Sequence, residues 1–351
     1  MDHLASNDDA PQHRPRPLPL FLQMVAEVAR NDAAIAAAAL DGLQRYQQAP
    51  RSSERWPDVP GKAIGRAQLH CYRGDGPPVL LVPSLINPPR VLDMAADNSL
   101  ARALADAGFG VHLLTWGTPS RSDAGDGLSE HVERYLLPAI ERLGGSVQLV
   151  GHCLGGTLAL GAGAVAPVAS IVTIAAPWDF SAYPGTMRVR LDRLWQHSRH
   201  ALESVGLVPL ELLQTAFWAL DPDRTVAKFA RLADPQLDPA MLANFVALED
   251  WANGGDPLPY AAGAGLFDDL FEANAPANGD WRVAGKRIDR RPDHVPSLHF
   301  ASTSDRIVPL AAVPDWGERR DVAPGHIGMV VGRSAPETLW QPLIAWLGAH
   351  A

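Results

Sequence analysis

The sequence predicts an α/β fold in which helices cover both faces of a mostly parallel central sheet. Strand-like apolar runs alternate with helical segments over residues 61–176, and the same alternation returns over residues 295–351. Such alternation is typical of parallel sheets, because a crossover helix carries the chain back between strands of the same direction. The intervening residues 177–294 replace this alternation with helical segments and many prolines. We therefore predict a core formed by the two outer segments and a large helical cap, or lid, inserted between them.

The individual elements are predicted in order along the chain. Residues 1–18 are expected to form a disordered tail and residues 19–60 a helical segment, since helix formers dominate residues 19–48. From Ile64 the pattern alternates and then becomes continuously apolar in "VLLVPSL", as expected for a hairpin strand followed by a buried central strand. The later elements are a helix at 97–107, the strand "GVHLLTW", a helix at 129–143, the strand "VQLVG", a helix after Cys153, the strands "VASIVTIAA", "VPSLHFAS" and "GERRDVAP", and the closing helix "PETLWQPLIAWLGA".

Composition and charge argue against several classes of protein. The chain has 351 residues, of which 47% are hydrophobic and 20% charged, an ordinary globular composition. No apolar run approaches the roughly 20 residues that a transmembrane helix needs, and the N-terminus lacks the features of a signal peptide. A net charge of −9 disfavours a nucleic-acid partner. The two cysteines do not suggest a disulfide framework, so a reducing, cytoplasmic location is expected.

The stretch "VQLVGHCLGGTLAL" contains the first chemical signature. A buried strand, a turn flanked by glycines and a small-residue helix are typical of the nucleophile elbow of the α/β-hydrolase fold. Gly151 and Gly155 flank Cys153, so the predicted nucleophile is a thiol. The glycines are needed because bulky neighbours of a strained nucleophile would clash with the adjoining strand and helix. The helix N-terminus also favours a thiolate. A structural cysteine in a tight turn is the alternative.

Two further residues are predicted to complete a catalytic triad. In this fold the nucleophile is followed along the chain by an acid and then by a histidine. Asp305 follows the strand "VPSLHFAS" and His326 follows the strand "GERRDVAP", so both stand at strand ends where the elbow opens. Asp179 is the rival acid. His152 is a poor candidate base, because the elbow turns consecutive side chains in different directions.

The oxyanion hole is predicted to consist of backbone N–H groups. One is the N–H of Leu154, directly after the nucleophile, and the other comes from the loop after "VLLVP". Pro83 has no N–H to donate. The candidates in this loop are therefore Ser84, Leu85 and Ile86.

These motifs and their surroundings resemble the polyhydroxyalkanoate synthase family, α/β-hydrolase-fold enzymes that polymerise (R)-3-hydroxyacyl-CoA through a cysteine thioester. The resemblance covers roughly residues 60–330. It is found in the stretches "VPSLINPPRVLDMAADNSLARALADAGFGVHLLTWG", "LEDWANGGDPLP", "ANAPANGDWRVAGKRID", "STSDRIVP" and "GHI". The family's cysteine, aspartate and histidine match Cys153, Asp305 and His326. Ile86 matches the position whose amide serves the oxyanion. Arg306 differs from the histidine that many one-component synthases carry.

The resemblance implies an acyltransferase whose substrate is a coenzyme A thioester. His326, oriented by Asp305, would deprotonate Cys153 for attack on the thioester and would then activate an acceptor hydroxyl. No metal or organic cofactor is expected, because no Cys/His ligand spacing is present. A cysteine-dependent esterase or thioesterase is the alternative, and a catalytically inactive granule-surface protein with a Trp-rich cap is a third hypothesis. The sequence does not determine the acyl chain length, whether the chain forms a homodimer, or whether it needs an accessory subunit.

Overall fold

A computed structural model describes most of the chain, namely residues 14–51, 56–72, 75–144, 146–218, 222–288 and 295–351. Of the predicted N-terminal tail, residues 1–13 lie outside this set. The described residues divide into two compact units. The first unit contains residues 14–51 and 210–255, and the second contains residues 56–209 and 256–351.

The described helices and strands follow the predicted order. The helices are α1 (Leu18–Ala29), α2 (Ala33–Gln48), α3 (Leu100–Asp106), α4 (Leu128–His131), α5 (Leu137–Arg142), α6 (Leu154–Gly163), α7 (Gly185–Val205), α8 (Leu210–Trp218), α9 (Pro222–Ala230), α10 (Pro239–Ala252), α11 (Tyr260–Ala264), α12 (Ala275–Asn278), α13 (Gly328–Val331) and α14 (Gln341–Ala349). The strands are β1 (Gly61–Ile64), β2 (Ala67–Cys71), β3 (Pro78–Val82), β4 (Gly110–Thr115), β5 (Gln148–His152), β6 (Ser170–Ile174), β7 (Leu207–Val208), β8 (Leu258–Pro259), β9 (Arg282–Val283), β10 (Lys286–Arg287), β11 (Ser297–Ser302) and β12 (Glu318–Val322).

The second unit is built on a sheet of eight strands in the order β1-β2-β4-β3-β5-β6-β11-β12. The pairs β1–β2 and β2–β4 are antiparallel, and the pairs from β4 to β12 are parallel. Every residue of β5, β6 and β11 is buried, including the polar Gln148, Thr173 and His299, as expected for central strands covered on both faces. This strand order, with an elbow after β5, is that of the α/β-hydrolase fold, so the predicted fold class is confirmed.

The helix α6 lies against the centre of the sheet, and its sequence explains how it can do so. All ten residues of α6 are buried, and four of them are glycines. A β-carbon on Gly161 would lie 2.4 Å from the indole ring of Trp281, so the small residue makes room for that ring. Small residues therefore let α6 pack closely against its neighbours.

The first unit has a core of its own that consists of helices. Phe229 on α9 is fully buried, and its ring centroid lies 4.7 Å from that of Phe21 and 5.6 Å from that of Tyr46. Lys228 pairs with Glu249 at 2.7 Å. Residues 210–255, which belong to the predicted cap, thus pack with α1 and α2. Residues 177–209 and 256–288 belong to the second unit, and a cap function for residues 177–294 stays a prediction.

Among the described residues, no helix is long and apolar enough to cross a membrane.

Candidate active site

Cys153 stands between β5 and α6 in a backbone conformation that L-amino acids rarely adopt. Its φ is 54° and its ψ is −131°, as expected for the strained nucleophile of an elbow. Its N–H donates to the carbonyl of Ile174 at 2.9 Å, and its own carbonyl accepts from Gly156 at 2.8 Å. These two hydrogen bonds stabilise the turn, so the half-buried thiol is held at the carboxyl edge of the sheet.

Two glycines make this elbow possible. A β-carbon on Gly155 would lie 2.3 Å from the carbonyl oxygen of Val82 and 2.4 Å from that of Pro83. A β-carbon on Gly151 would lie 2.4 Å from the Cα atom of Gly156. Since all these neighbours are backbone atoms, they have little freedom to move aside. The pattern G-x-C-x-G therefore reflects close backbone approach on both sides of the thiol.

The structure brings the predicted acid and base together at the same edge. Asp305 lies in the turn after β11, where its Oδ1 accepts hydrogen bonds from the amides of Ile307 at 2.7 Å and Val308 at 3.0 Å. Its Oδ2 lies 2.7 Å from Nδ1 of His326. The side chains of Asp305 and His326 are only 1% and 7% exposed. The carboxylate thus orients the imidazole ring, and Nε2 is the ring nitrogen left for the thiol.

The ring of His326 interacts with Cys153 as well as with Asp305, and these two neighbours change its pKa. Burial lowers the pKa of His326, but the negative charges of a Cys153 thiolate and of Asp305, with their hydrogen bonds, raise it to about 10. Burial raises the pKa of Asp305, but the His326 charge and the amides of Ile307 and Val308 give a net lowering. The arrangement therefore favours the protonated form of His326 beside the Asp305 carboxylate.

The rival acid Asp179 binds other partners. Its Oδ1 accepts from the Ser181 amide at 2.9 Å, from the Ser181 hydroxyl at 2.6 Å and from Asn274 Nδ2 at 2.8 Å. Burial raises the pKa of Asp179, but these hydrogen bonds give a net lowering. Asp179 thus connects the loop after β6 to Asn274 through a hydrogen bond, whereas the carboxylate that contacts the His326 ring is that of Asp305.

The side chain of His152, predicted to be a poor candidate base, packs beside the ring of His326. Its ring centroid is 5.2 Å from that of His326, and the residue is 2% exposed. Burial and the His326 charge lower the pKa of His152 to about 3, so it packs as a neutral ring. Within the described part of the chain, neither of its ring nitrogens has a hydrogen-bond partner.

The predicted oxyanion donors lie on the two sides of the elbow. Leu154 is the first residue of α6, where N–H groups have no intrahelical acceptor. In the loop after β3, the N–H of Ile86 donates to Oγ of Ser84 at 3.2 Å. The loop is supported by Trp116, whose Nε1 donates to the carbonyl of Pro83 at 3.1 Å. Both predicted donors are buried.

The comparison with curated proteins identifies relatives over most of the chain. The poly(3-hydroxyalkanoate) polymerase subunit PhaC of Haloferax mediterranei is 28% identical over 290 residues, which are 78% of this chain and 59% of the relative. The PhaC subunit of Thiocystis violacea is 27% identical over 314 residues, which are 81% of this chain and 86% of the relative. The chain is related to the polyhydroxyalkanoate synthases. No family model matches it.

The relationship to the polyhydroxyalkanoate synthases does not extend over the whole length of every relative. The chain spans about three fifths of the Haloferax protein and of the PhaC subunit of Haloarcula marismortui. Among solved structures, an α/β-hydrolase-fold protein from Nakamurella multipartita aligns with 84% of this chain and all of its own, at 19% identity and a TM-score of 0.47.

Two residues close to this candidate site were missed by the sequence analysis. Trp116, which supports the oxyanion loop, follows β4 and resembled a strand residue. Tyr183 lies in the loop after β6, where it is 5% exposed and its ring stacks on Phe180. Burial raises the pKa of Tyr183, and the charges of Cys153 and Asp305 raise it further. An aromatic residue after a strand is usually part of a core, so neither position carried a functional signal.

No group of three or more His, Cys, Asp or Glu side chains is placed to hold a metal ion within the described ranges.

Proposed function

We propose that the chain is a polyhydroxyalkanoate synthase-like acyltransferase that uses Cys153, His326 and Asp305 on (R)-3-hydroxyacyl-CoA. The observation that carries the proposal is a thiol at the strained elbow beside the His326 ring that Asp305 orients. The relatives named poly(3-hydroxyalkanoate) polymerase subunit support the choice of substrate class. The hydrolase fold alone would be equally compatible with other acyl donors.

The first half-reaction transfers the acyl group to the enzyme. The proton of Cys153 passes to Nε2 of His326, and the thiolate attacks the thioester carbonyl while the N–H of Leu154 and the Ile86 loop stabilise the oxyanion. Collapse of the tetrahedral intermediate breaks the bond to coenzyme A, and His326 returns the proton to the leaving thiolate. The product is an acyl-cysteine.

The second half-reaction transfers the acyl group to an acceptor hydroxyl. His326 removes the hydroxyl proton, the oxygen attacks the acyl-cysteine, and the proton then returns to the Cys153 sulfur. A thiol suits this chemistry because exchange between two thioesters is close to isoenergetic, whereas a serine ester would hold the acyl group more tightly. The acyl-cysteine therefore stays reactive towards a second hydroxyacyl group.

The competing function is a cysteine-dependent thioesterase or esterase, in which water takes the place of the acceptor hydroxyl. The same three residues would serve both reactions, so the products must decide. We expect that incubation with 3-hydroxybutyryl-CoA releases coenzyme A together with polymer or ester-linked oligomers. Release of coenzyme A matched only by free 3-hydroxybutyrate, across several acyl lengths, would establish the hydrolase instead.

The nucleophile is tested with a matched pair of cysteine variants. Cys153→Ala is expected to abolish coenzyme A release and acyl-enzyme formation measured by mass spectrometry. Cys71→Ala is expected to retain both, since Cys71 ends β2 opposite His112. Acyl-enzyme formation that survives in Cys153→Ala would contradict the assignment.

A further inference from the structure

The amide that resemblance assigns to the oxyanion hole is already engaged in this chain. The N–H of Ile86 donates to Oγ of Ser84 at 3.2 Å, and both residues are only 6% exposed. An N–H that points at a hydroxyl oxygen is not free to bind a substrate oxygen with good geometry. The oxyanion hole therefore needs either a rearrangement of Ser84 or a different donor on this side.

The hydroxyl of Ser84 is such a donor. A serine hydroxyl accepts and donates at the same time, and Oγ already accepts from Ile86. Within the described part of the chain, the Ser84 hydroxyl donates to no acceptor. Its proton is therefore available, and donation from Ile86 to Oγ polarises the O–H group and strengthens it as a donor.

The fold places Ser84 at the level of the nucleophile. In the parallel pair β3–β5, Val82 is in register with Gly151, so Ser84 and Cys153 each follow that pair by two residues. The carbonyl oxygen of Pro83, the preceding residue, lies so close to α6 that a β-carbon on Gly155 would be 2.4 Å from it. Trp116 Nε1 holds the same carbonyl from the other side at 3.1 Å. The loop is thus fixed beside the thiol.

We propose that the Ser84 hydroxyl is an oxyanion donor, with the Ile86 amide acting through it rather than on the substrate. This inference rests on the proposed acyl transfer at Cys153. When the Cys153 sulfur bonds to the carbonyl carbon, the π electrons move to the carbonyl oxygen, which accepts from the Leu154 N–H and the Ser84 O–H. Ser84 keeps its proton, and collapse of the intermediate reforms the carbonyl and expels the leaving group.

The test compares two reactions of the same thiol. Acylation of Cys153 by 3-hydroxybutyryl-CoA, or by p-nitrophenyl acetate, passes through an oxyanion, whereas alkylation by iodoacetamide displaces iodide and forms none. Ser84→Ala is expected to slow acylation about 100-fold or more, mainly in kcat rather than KM. Its alkylation rate is expected to equal that of the unchanged chain. Ser84→Thr, which keeps the hydroxyl, is expected to retain most of the acylation rate.

Three results would overturn the proposal. Acylation of Ser84→Ala at or above the original rate would show that the Ile86 amide binds the oxyanion directly once the hydroxyl is gone. Equal slowing of acylation and alkylation would show that Ser84 only supports the loop. If the unchanged chain reacts with the nitrophenyl ester but not with the CoA thioester, the proposed substrate class fails, while the ester still measures the role of Ser84. Acylation by neither donor would refute both.

Discussion

At the scale of single residues, Asp305 affects the neighbouring His326 ring in two ways. Its carboxylate lies 2.7 Å from Nδ1 of His326, which sets the ring orientation. Its charge also contributes to the raised pKa of His326, against the lowering that burial causes. Orientation and charge therefore depend on one side chain that is almost completely buried.

Asp305→Asn should therefore lower catalysis and alter the titration of His326. The amide can present its NH₂ group to Nδ1 and thereby select the wrong tautomer, and we expect kcat to fall by about 10³–10⁴-fold. Loss of the negative charge should also move the His326 pKa downward, because an imidazolium is no longer stabilised by it. Acyl-transfer kinetics and an NMR titration of labelled histidines measure the two effects.

The rival carboxylate provides the matched control. Asp179→Asn alters hydrogen bonds to Ser181 and Asn274 but leaves the Asp305–His326 contact in place. Its kcat and its His326 titration should stay close to those of the unchanged chain. If Asp179→Asn were the more damaging of the two substitutions, the assignment of the acid would be wrong.

At the scale of elements, the site depends on how closely α6 approaches the end of β3. Gly155→Ala would bring a β-carbon within 2.4 Å of two backbone carbonyl oxygens, so either the helix or the oxyanion loop must shift. We expect a destabilisation of about 1–3 kcal/mol together with a large loss of acylation. Urea unfolding and single-turnover acylation with the same protein check both effects.

A second glycine serves as the control for this substitution. Gly348 lies on α14, and a β-carbon there would meet no atom within 4 Å. Gly348→Ala should therefore stabilise the protein by up to about 1 kcal/mol, because it restricts the unfolded chain and favours the helix. Equal destabilisation by both substitutions would contradict the packing argument.

At the scale of the whole molecule, buried neutral histidines make stability depend on pH. Burial lowers the pKa of His131 and His299 to about 4, and burial with the His326 charge lowers that of His152 to about 3. In an unfolded chain the same groups titrate near pH 6.5. Below that pH the unfolded state therefore binds more protons than the folded state.

The free energy of unfolding should fall as the pH decreases from about 6.5 towards 4, by about 1 kcal/mol per pH unit for each of these histidines. The contribution of His326 to the free energy of unfolding has the opposite pH dependence. Because its pKa is raised in the folded state, this contribution is fully present below about pH 6.5 and is lost as the pH rises towards 10. Urea unfolding at a series of pH values measures both limits. His152→Leu should reduce the acid slope, and His200→Gln, at an exposed position on α7, should not.

Local sequence patterns were sufficient to predict the fold class and to select Asp305 and His326, which the structure places side by side. The apolar runs of β5 and β6 and the glycines around Cys153 reflect burial and close backbone approach, which leave a direct trace in residue type. Asp305 and His326 could be selected because parallel strands end at one edge of the sheet, where their following loops must meet. Their catalytic roles, like that of Ile86, stay predictions for the experiments above.

Contacts between distant segments were decided only by the tertiary structure. The packing of residues 210–255 on α1 and α2 follows from the shapes of buried rings such as Phe229 and Phe21, and no local period encodes which helix a given apolar face will meet. Likewise, the Ser84 hydroxyl beside the Ile86 amide and the stacking of the Tyr183 ring on Phe180 depend on loop conformation and packing. The sequence thus determined which segments are buried and which turn presents the thiol, because those properties are local. The partners of the buried groups depend on three-dimensional packing, which the order of residues specifies only through the complete fold.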